Sequence, residues 1–268
     1  MIAVCVKWVP LRVEVDALSG RATWSEREYG LSLADQAALE CALRQANAVG
    51  DTVTAITVGG VSTDSALREA FAAGVHAGIR IDAVATSGLG TAALIAPAIR
   101  DAVAVWCGDY SLDGATGSVP AFLSALVGVS QALGLVEIET FAPLTAVRRL
   151  DRGARERLAV TGPAVMSVEG SAARLRRAST KAVIDARSRA ITVIASATAA
   201  ADQPVGTRAY RPPSRHLAPP TGTTRDRVLA VTGANATTTK ARRELRLTPA
   251  ESAAAIVEQL TAWGYLPL

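Results

Sequence analysis

Short apolar runs alternate with amphipathic stretches through the first half of the chain. Ile2 to Val9 is nearly all apolar and closes at Pro10, the pattern of a buried first strand. Val13-Glu14-Val15 and Ala22-Thr23-Trp24 flank Ser19-Gly20 and read as a hairpin outside the core. A helix is predicted from Ala34 to Ala48, with Ala38, Cys41, Ala42 and Gln45 on one side. Thr52 to Val58 is rich in β-branched residues and ends at Gly59-Gly60, as a second buried strand would. Ser62 is placed to cap a helix that buries Ala66, Leu67, Ala70 and Phe71. Ile79 to Ile81 reads as a short strand, Thr91 to Arg100 as a helix, and Val103 to Gly108 as a further buried strand. Strands alternating with helices predict βαβ units, hence an α/β fold with a parallel sheet. Ligands of such sheets bind beyond the carboxyl ends of the strands. Val9-Pro10, Gly59-Gly60 and Gly108 are therefore expected on one rim.

The strand ending at Gly108 feeds a polar loop, Asp109 to Ser118, and then an apolar helical stripe of Val119, Phe122, Leu123, Leu126 and Val127. The first N–H groups of such a helix lack intrahelical partners, and its dipole favours an anion such as a nucleotide phosphate. Gly114 and Gly117 permit close backbone approach. A tight turn without a ligand has the same local pattern.

From Val136 onward the pattern changes. Val147 to Leu150, Arg157 to Val160 and Val165 to Val168 read as extended segments, with turns at Asp151-Arg152-Gly153 and Gly162-Pro163. After Ile191 to Ile194 the chain becomes rich in Ala, Thr and Pro. Pro204, Pro212, Pro213, Pro219 and Pro220 argue against regular structure up to about Thr224. A helix then follows a capping box of Thr248 and Glu251, with Pro249 at its first position and Ile256, Val257, Leu260 and Trp263 on its apolar face. The organisation expected is a core over residues 1–194 and a partner-wrapping arm with a terminal helix over 195–268.

Half of the residues are apolar, enough for a real core. The opening residues do not read as a signal peptide, and Pro97 and Arg100-Asp101 interrupt the longest apolar stretch, so neither a secretory leader nor a membrane span is expected. Cys5, Cys41 and Cys107 are far apart and embedded in apolar runs. They read as core thiols of a cytoplasmic protein, with no metal site and no redox pair. The net charge of +4 comes from clustered arginines, Arg148 to Arg157 and Arg174 to Arg189. Neither cluster has stacking aromatics beside it, which argues against nucleic acid and for a solvated face or an acidic protein partner. Catalytic equipment is scarce. His76 and His216 are the only histidines, and no nucleophile elbow or metal-ligand spacing occurs. Gly88-Leu89-Gly90 lacks the third glycine of a dinucleotide fingerprint, and the Asn235-Ala236-Thr237 sequon has no meaning without a secretory signal. A nucleotide-shaped rim without catalytic groups suggests a binding or carrier subunit. A nucleotide-binding regulatory protein akin to the universal stress proteins is the alternative. An adenylating or hydrolysing enzyme is disfavoured by the lack of a catalytic base or a phosphate-facing lysine.

Four segments, in order, resemble the β subunit of electron transfer flavoprotein, the FixA family. Val4-Cys5-Val6-Lys7-Trp8-Val9-Pro10 is similar to the family's opening strand, and Asp35-Gln36-Ala37-Ala38-Leu39-Glu40-Cys41-Ala42 to its first helix, here after Ser32-Leu33 in place of Asn-Pro. Asp113-Gly114-Ala115-Thr116-Gly117-Ser118-Val119-Pro120 resembles its nucleotide loop, one residue shorter. Val147 to Ser167, with Arg149, Asp151, Gly153, Glu156 and Pro163-Ala164-Val165, resembles its signature segment. The resemblance implies an adenine nucleotide α-hydrolase-like core in a non-catalytic electron-carrier subunit. Its implied partner is an α subunit holding the redox-active FAD, in a heterodimer that passes electrons from a flavin-dependent dehydrogenase to a downstream acceptor. It further implies AMP in the crevice, contacted by Cys5, Val58, Gly117, Ser118 and Val119, with Asp113 and Thr116 shaping the loop and Arg12 near the flavin. Some related members hold a second FAD there instead. The chain departs from the family between Val168 and Arg187, where partner dehydrogenases dock.

Overall fold

The computed structural model describes residues 1–16, 19, 21–84, 87–195, 221–232 and 247–265. The proline-rich arm up to residue 220 and the Asn235 sequon lie outside these residues. The chain divides into two compact units, Met1–Gly206 and Thr207–Leu268.

In the first unit the strands are β1 (Ile2–Cys5), β2 (Trp8–Pro10), β3 (Glu14–Val15), β4 (Ala22–Thr23), β5 (Tyr29–Leu31), β6 (Val53–Val58), β7 (Ala77–Asp82) and β8 (Ala104–Gly108). They are followed by β9 (Ser130–Phe141), β10 (Leu144–Arg149), β11 (Arg155–Val160), β12 (Ala164–Val168) and β13 (Thr192–Ala195). The helices are α1 (Leu33–Val49), α2 (Asp64–Ala73), α3 (Gly88–Ile95), α4 (Val119–Val127) and α5 (Thr180–Ser188). One sheet takes the order β11-β10-β9-β12-β8-β1-β6-β7-β13. Every pair from β9 to β13 along that order is parallel, and β10 and β11 extend it antiparallel at one edge. The fold is therefore α/β with a mostly parallel central sheet, as expected.

Two apolar layers flank the sheet. One joins Val4, Ala55 and Trp106 to Leu39 and Ala42 of α1 and to Leu67 and Ala70 of α2. The other joins Ala3, Ile56 and Val105 to Ala92 and Ile95 of α3 and to Leu123 of α4. Trp106 is fully buried, and its indole N–H donates to Gln45 Oε1 at 2.7 Å. That bond explains a polar residue on the inner side of α1, since a buried indole nitrogen without an acceptor costs roughly 1–3 kcal/mol.

Several local expectations are corrected. The opening apolar run is two strands, because the backbone leaves the sheet after Cys5. The Lys7 N–H donates to Asp35 Oδ2 at 3.2 Å, and Trp8 to Pro10 pair antiparallel with β5 in a separate ribbon. Ser62 does not cap α2. It lies in a 3-10 turn, Val61–Thr63, and α2 begins after Thr63 without a side-chain cap. The helix predicted from Thr91 to Arg100 starts at Gly88, capped by Ser87, and tightens into a 3-10 turn at Ala96–Ile99, where Pro97 can donate no backbone bond. The stripe on α4 is only partly buried: Leu123 is enclosed, whereas Phe122 and Leu126 are exposed. Four of the five arginines from 148 to 157 form surface ion pairs, Arg148 with Glu156, Arg149 with Glu169, Arg155 with Glu137 and Arg157 with Glu139, as a solvated face would.

The second unit contains α6 (Thr224–Thr232) and α7 (Pro249–Ala262). The capping box on α7 is present: the Thr248 hydroxyl accepts from the Glu251 N–H, and the Glu251 carboxylate accepts from the Thr248 N–H. Ile256, Val257 and Trp263 are exposed. Among the described residues, no helix is long and apolar enough to cross a membrane.

Candidate functional site

A cavity of about 300 Å³ opens at the carboxyl ends of the central strands. Its walls are Cys5 to Lys7 after β1, Ile56 to Gly60 at the end of β6, Cys107 and Gly108 of β8, and Ala83 and Val84 after β7. Thr91 and Ile95 of α3 face it, and Thr116 to Pro120 enclose it at the start of α4. The rim is the one expected, except that Val9-Pro10 is replaced by Cys5 to Lys7 because β1 ends early.

Backbone geometry shapes the loop before α4. Gly117 has φ +59, and a Cβ there would lie 2.4 Å from the Asp109 carbonyl oxygen. Only glycine takes that conformation and that approach cheaply. Ser118 makes no side-chain cap; its hydroxyl lies 3.0 Å from that of Thr116. The first turn of α4 thus meets the cavity without a side-chain acceptor on its N–H groups, which suits an anion. The residues present therefore fit a nucleotide. Thr57 is 1% exposed, and its side chain belongs to the sheet face covered by α2, where Arg80 is its strand neighbour and pairs with Asp64 at 3.3 Å.

Charge is concentrated at Lys7. Its ammonium lies 2.6 Å from Asp113 Oδ2, tying the end of β1 to the loop. Burial alone would raise the Asp113 carboxyl, but the Lys7 ammonium and the Ser111 and Gly114 donors outweigh it and hold the group below its ordinary value. Beneath lies Asp35, at the start of α1 and enclosed. Burial pushes its carboxyl up to about 7 against the opposing hydrogen bonds of Lys7 N–H and Ser32. Lys7 and Asp35 are the functional candidates that the sequence reading overlooked. The signal available was the lysine in the opening motif, whose side chain was expected nowhere near a phosphate.

Of the residues named from sequence, Cys5, Val58, Thr116, Gly117, Ser118 and Val119 line the cavity together. Asp113 does not line it and acts on it through Lys7. Gly114 is also outside the wall, its N–H bonded to Asp113 Oδ1 at 2.7 Å. Arg12 is exposed and lies 3.3 Å from Glu14 in the small hairpin. The cysteines are not isolated. β1 and β8 pair Val4 with Trp106, so Cys5 and Cys107 are the next neighbours across the two strands, on the same sheet face. Sequence separation hid this, because only the strand order brings them together.

The electron transfer flavoprotein domain model matches residues 24–199 of the chain. The chain belongs to the electron transfer flavoprotein family. It is also similar to the acryloyl-CoA reductase electron transfer subunit gamma of Anaerotignum propionicum, with 28% identity over 162 residues, covering 56% of this chain and 60% of that relative. The family match spans β5 to β13 and so includes most of the cavity wall, leaving Cys5 to Lys7 before its first matched residue.

Proposed function

We propose that this chain is the β-type subunit of an electron transfer flavoprotein, a non-catalytic carrier that holds AMP in the strand-end crevice. The observation that carries the reading is the crevice itself: an uncapped helix start and a glycine loop with no room for a side chain on one wall. Family membership and a relative described as an electron transfer subunit support it. The start of α4 would hold the phosphate, with Lys7 close by, and Val58 and the α3 side would take the apolar face of the base. The redox-active FAD belongs to an α subunit and supplies one- and two-electron chemistry when bound there. A flavin-dependent dehydrogenase would donate electrons, and a downstream carrier would accept them.

The test is co-expression with the neighbouring-gene product, followed by an absorption spectrum and chromatography of the extracted nucleotides. A flavin-coloured heterodimer that releases FAD and AMP is expected. FAD in twofold excess without AMP would assign the crevice to a second flavin. Recovery of no adenine nucleotide beyond one FAD would overturn the crevice assignment.

A further inference from the structure

The two thiols at the cavity floor are not needed to hold a nucleotide, and their arrangement has chemistry of its own. Cys5 ends β1 and Cys107 lies one position from the end of β8. Both side chains belong to the sheet face covered by α3 and α4. Parallel neighbours of this kind have Cα atoms ~4.8 Å apart, inside the roughly 4.4–6.8 Å span that a disulfide bridges. Cys5 is partly accessible and Cys107 is 4% exposed, and both line the cavity. Cys41 is fully buried within α1 and does not line it.

We propose that Cys5 and Cys107 form a dithiol that hydrogen peroxide oxidises to a disulfide in the crevice floor, and that bound nucleotide shields it. The shielding half rests on the nucleotide reading above; the dithiol half does not. The accessible Cys5 sulfur gives up its proton and attacks one peroxide oxygen. The O–O bond breaks, Cys5 becomes the sulfenic acid, and the other oxygen leaves with a proton as water. The Cys107 sulfur then attacks the Cys5 sulfur. The S–O bond breaks, and the oxygen leaves as water with the Cys107 proton. One peroxide is reduced to two waters and two thiols are oxidised to one disulfide. Cys5, the more accessible of the two, is the attacking thiol, and the enclosed Cys107 is the resolving one; its Cys5 neighbour and burial both push the Cys107 thiol up.

The full chain is treated with hydrogen peroxide, without and with AMP, then alkylated, digested and analysed by mass spectrometry. A Cys5–Cys107 linked peptide is expected, with Cys41 remaining a free thiol until the protein is denatured. At AMP about ten times its Kd, the linked peptide should form roughly ten-fold more slowly, following the fraction of open crevice. In Cys107→Ser, the Cys5 sulfenic acid should persist and be trapped by dimedone. In Cys5→Ser, no sulfenic acid should form at Cys107. Absence of the linked peptide in wild-type protein, with circular dichroism showing it folded, overturns the proposal. A linked peptide that forms at the same rate when AMP is shown by calorimetry to be bound overturns the shielding. If calorimetry shows no AMP binding while the linked peptide forms, the dithiol stands and the nucleotide reading fails.

Discussion

Replacing Asp35 by Asn should flatten a pH dependence built into the crevice floor. The carboxyl is enclosed at the start of α1, with the Lys7 N–H donating to Oδ2 at 3.2 Å and the Asp113 carboxylate adding a repulsive charge nearby. Burial raises it from 3.8 to about 7. In the folded chain the proton therefore stays on until about pH 7, whereas the unfolded chain releases it near its ordinary value. Between the two, unfolding releases a proton, so raising the pH favours the unfolded chain. The stabilising contribution is full below the unfolded value and is lost as pH rises through about 7. The slope is roughly 1.4 kcal/mol per pH unit inside the window, and the total is at most about 4 kcal/mol. Asn keeps a carbonyl oxygen for the Lys7 N–H and does not titrate. Urea unfolding of both full-length chains at several pH values between about 5 and 7 isolates this group as the difference in slope. The wild type should lose stability relative to Asp35→Asn as pH rises. Parallel stability curves for the two proteins would refute the reasoning.

Other expected outcomes follow from the same geometry. Gly117→Ala places a methyl against the Asp109 carbonyl at a positive φ, so it should cost about 1–3 kcal/mol and lower the nucleotide recovered from the purified complex; full nucleotide content would remove the close-approach argument. Gln45→Leu should strand the Trp106 indole N–H and lower stability by roughly 1–3 kcal/mol in chemical denaturation, with a shift in Trp fluorescence. Asp113→Ala should cost no more than about 1 kcal/mol, since the Lys7 pair is half exposed, yet calorimetry should register a changed nucleotide affinity because Lys7 is freed at the cavity wall. A chain ended at Ala199 should remain folded and lose its grip on the α-type partner in gel filtration; an undiminished heterodimer would remove the arm from the interface.

The central strands of the parallel sheet were legible because they are buried on both faces and rich in apolar and β-branched residues. Val53 to Val58 and Ala104 to Gly108 needed no tertiary information. β9 was not legible: Ser130 to Phe141 mixes polar and apolar residues because part of it serves an antiparallel edge with one wet face. The end of β1 was misread because Val6, Trp8 and Val9 continue the apolar pattern while feeding a different ribbon, and at the break the Lys7 N–H donates to the Asp35 side chain. The glycine loop at the cavity was legible from Gly117 and the helix stripe. Lys7 and the thiol pair were not, because each matters through a neighbour far away in sequence. Glu40 shows the same limit. It is buried on α1 and accepts from Arg176, 136 residues on.

The strand order also sets a timetable for the chain as it is made. β1, β6, β7 and β8 arrive in sequence and can pair as they emerge, but the outer flank of β8 takes β12 as its neighbour, about 60 residues later. At ordinary elongation rates that flank stays open for roughly 3–12 s after β8 is complete. β7 waits longer still, for β13. A nascent chain stopped near Val127 would carry two bare, apolar, parallel edges, the kind of surface that recruits other strands. Synthesis of this protein is thus expected to depend on chaperone cover between α4 and β13, a demand that comes from where β12 is inserted and not from the size of the core.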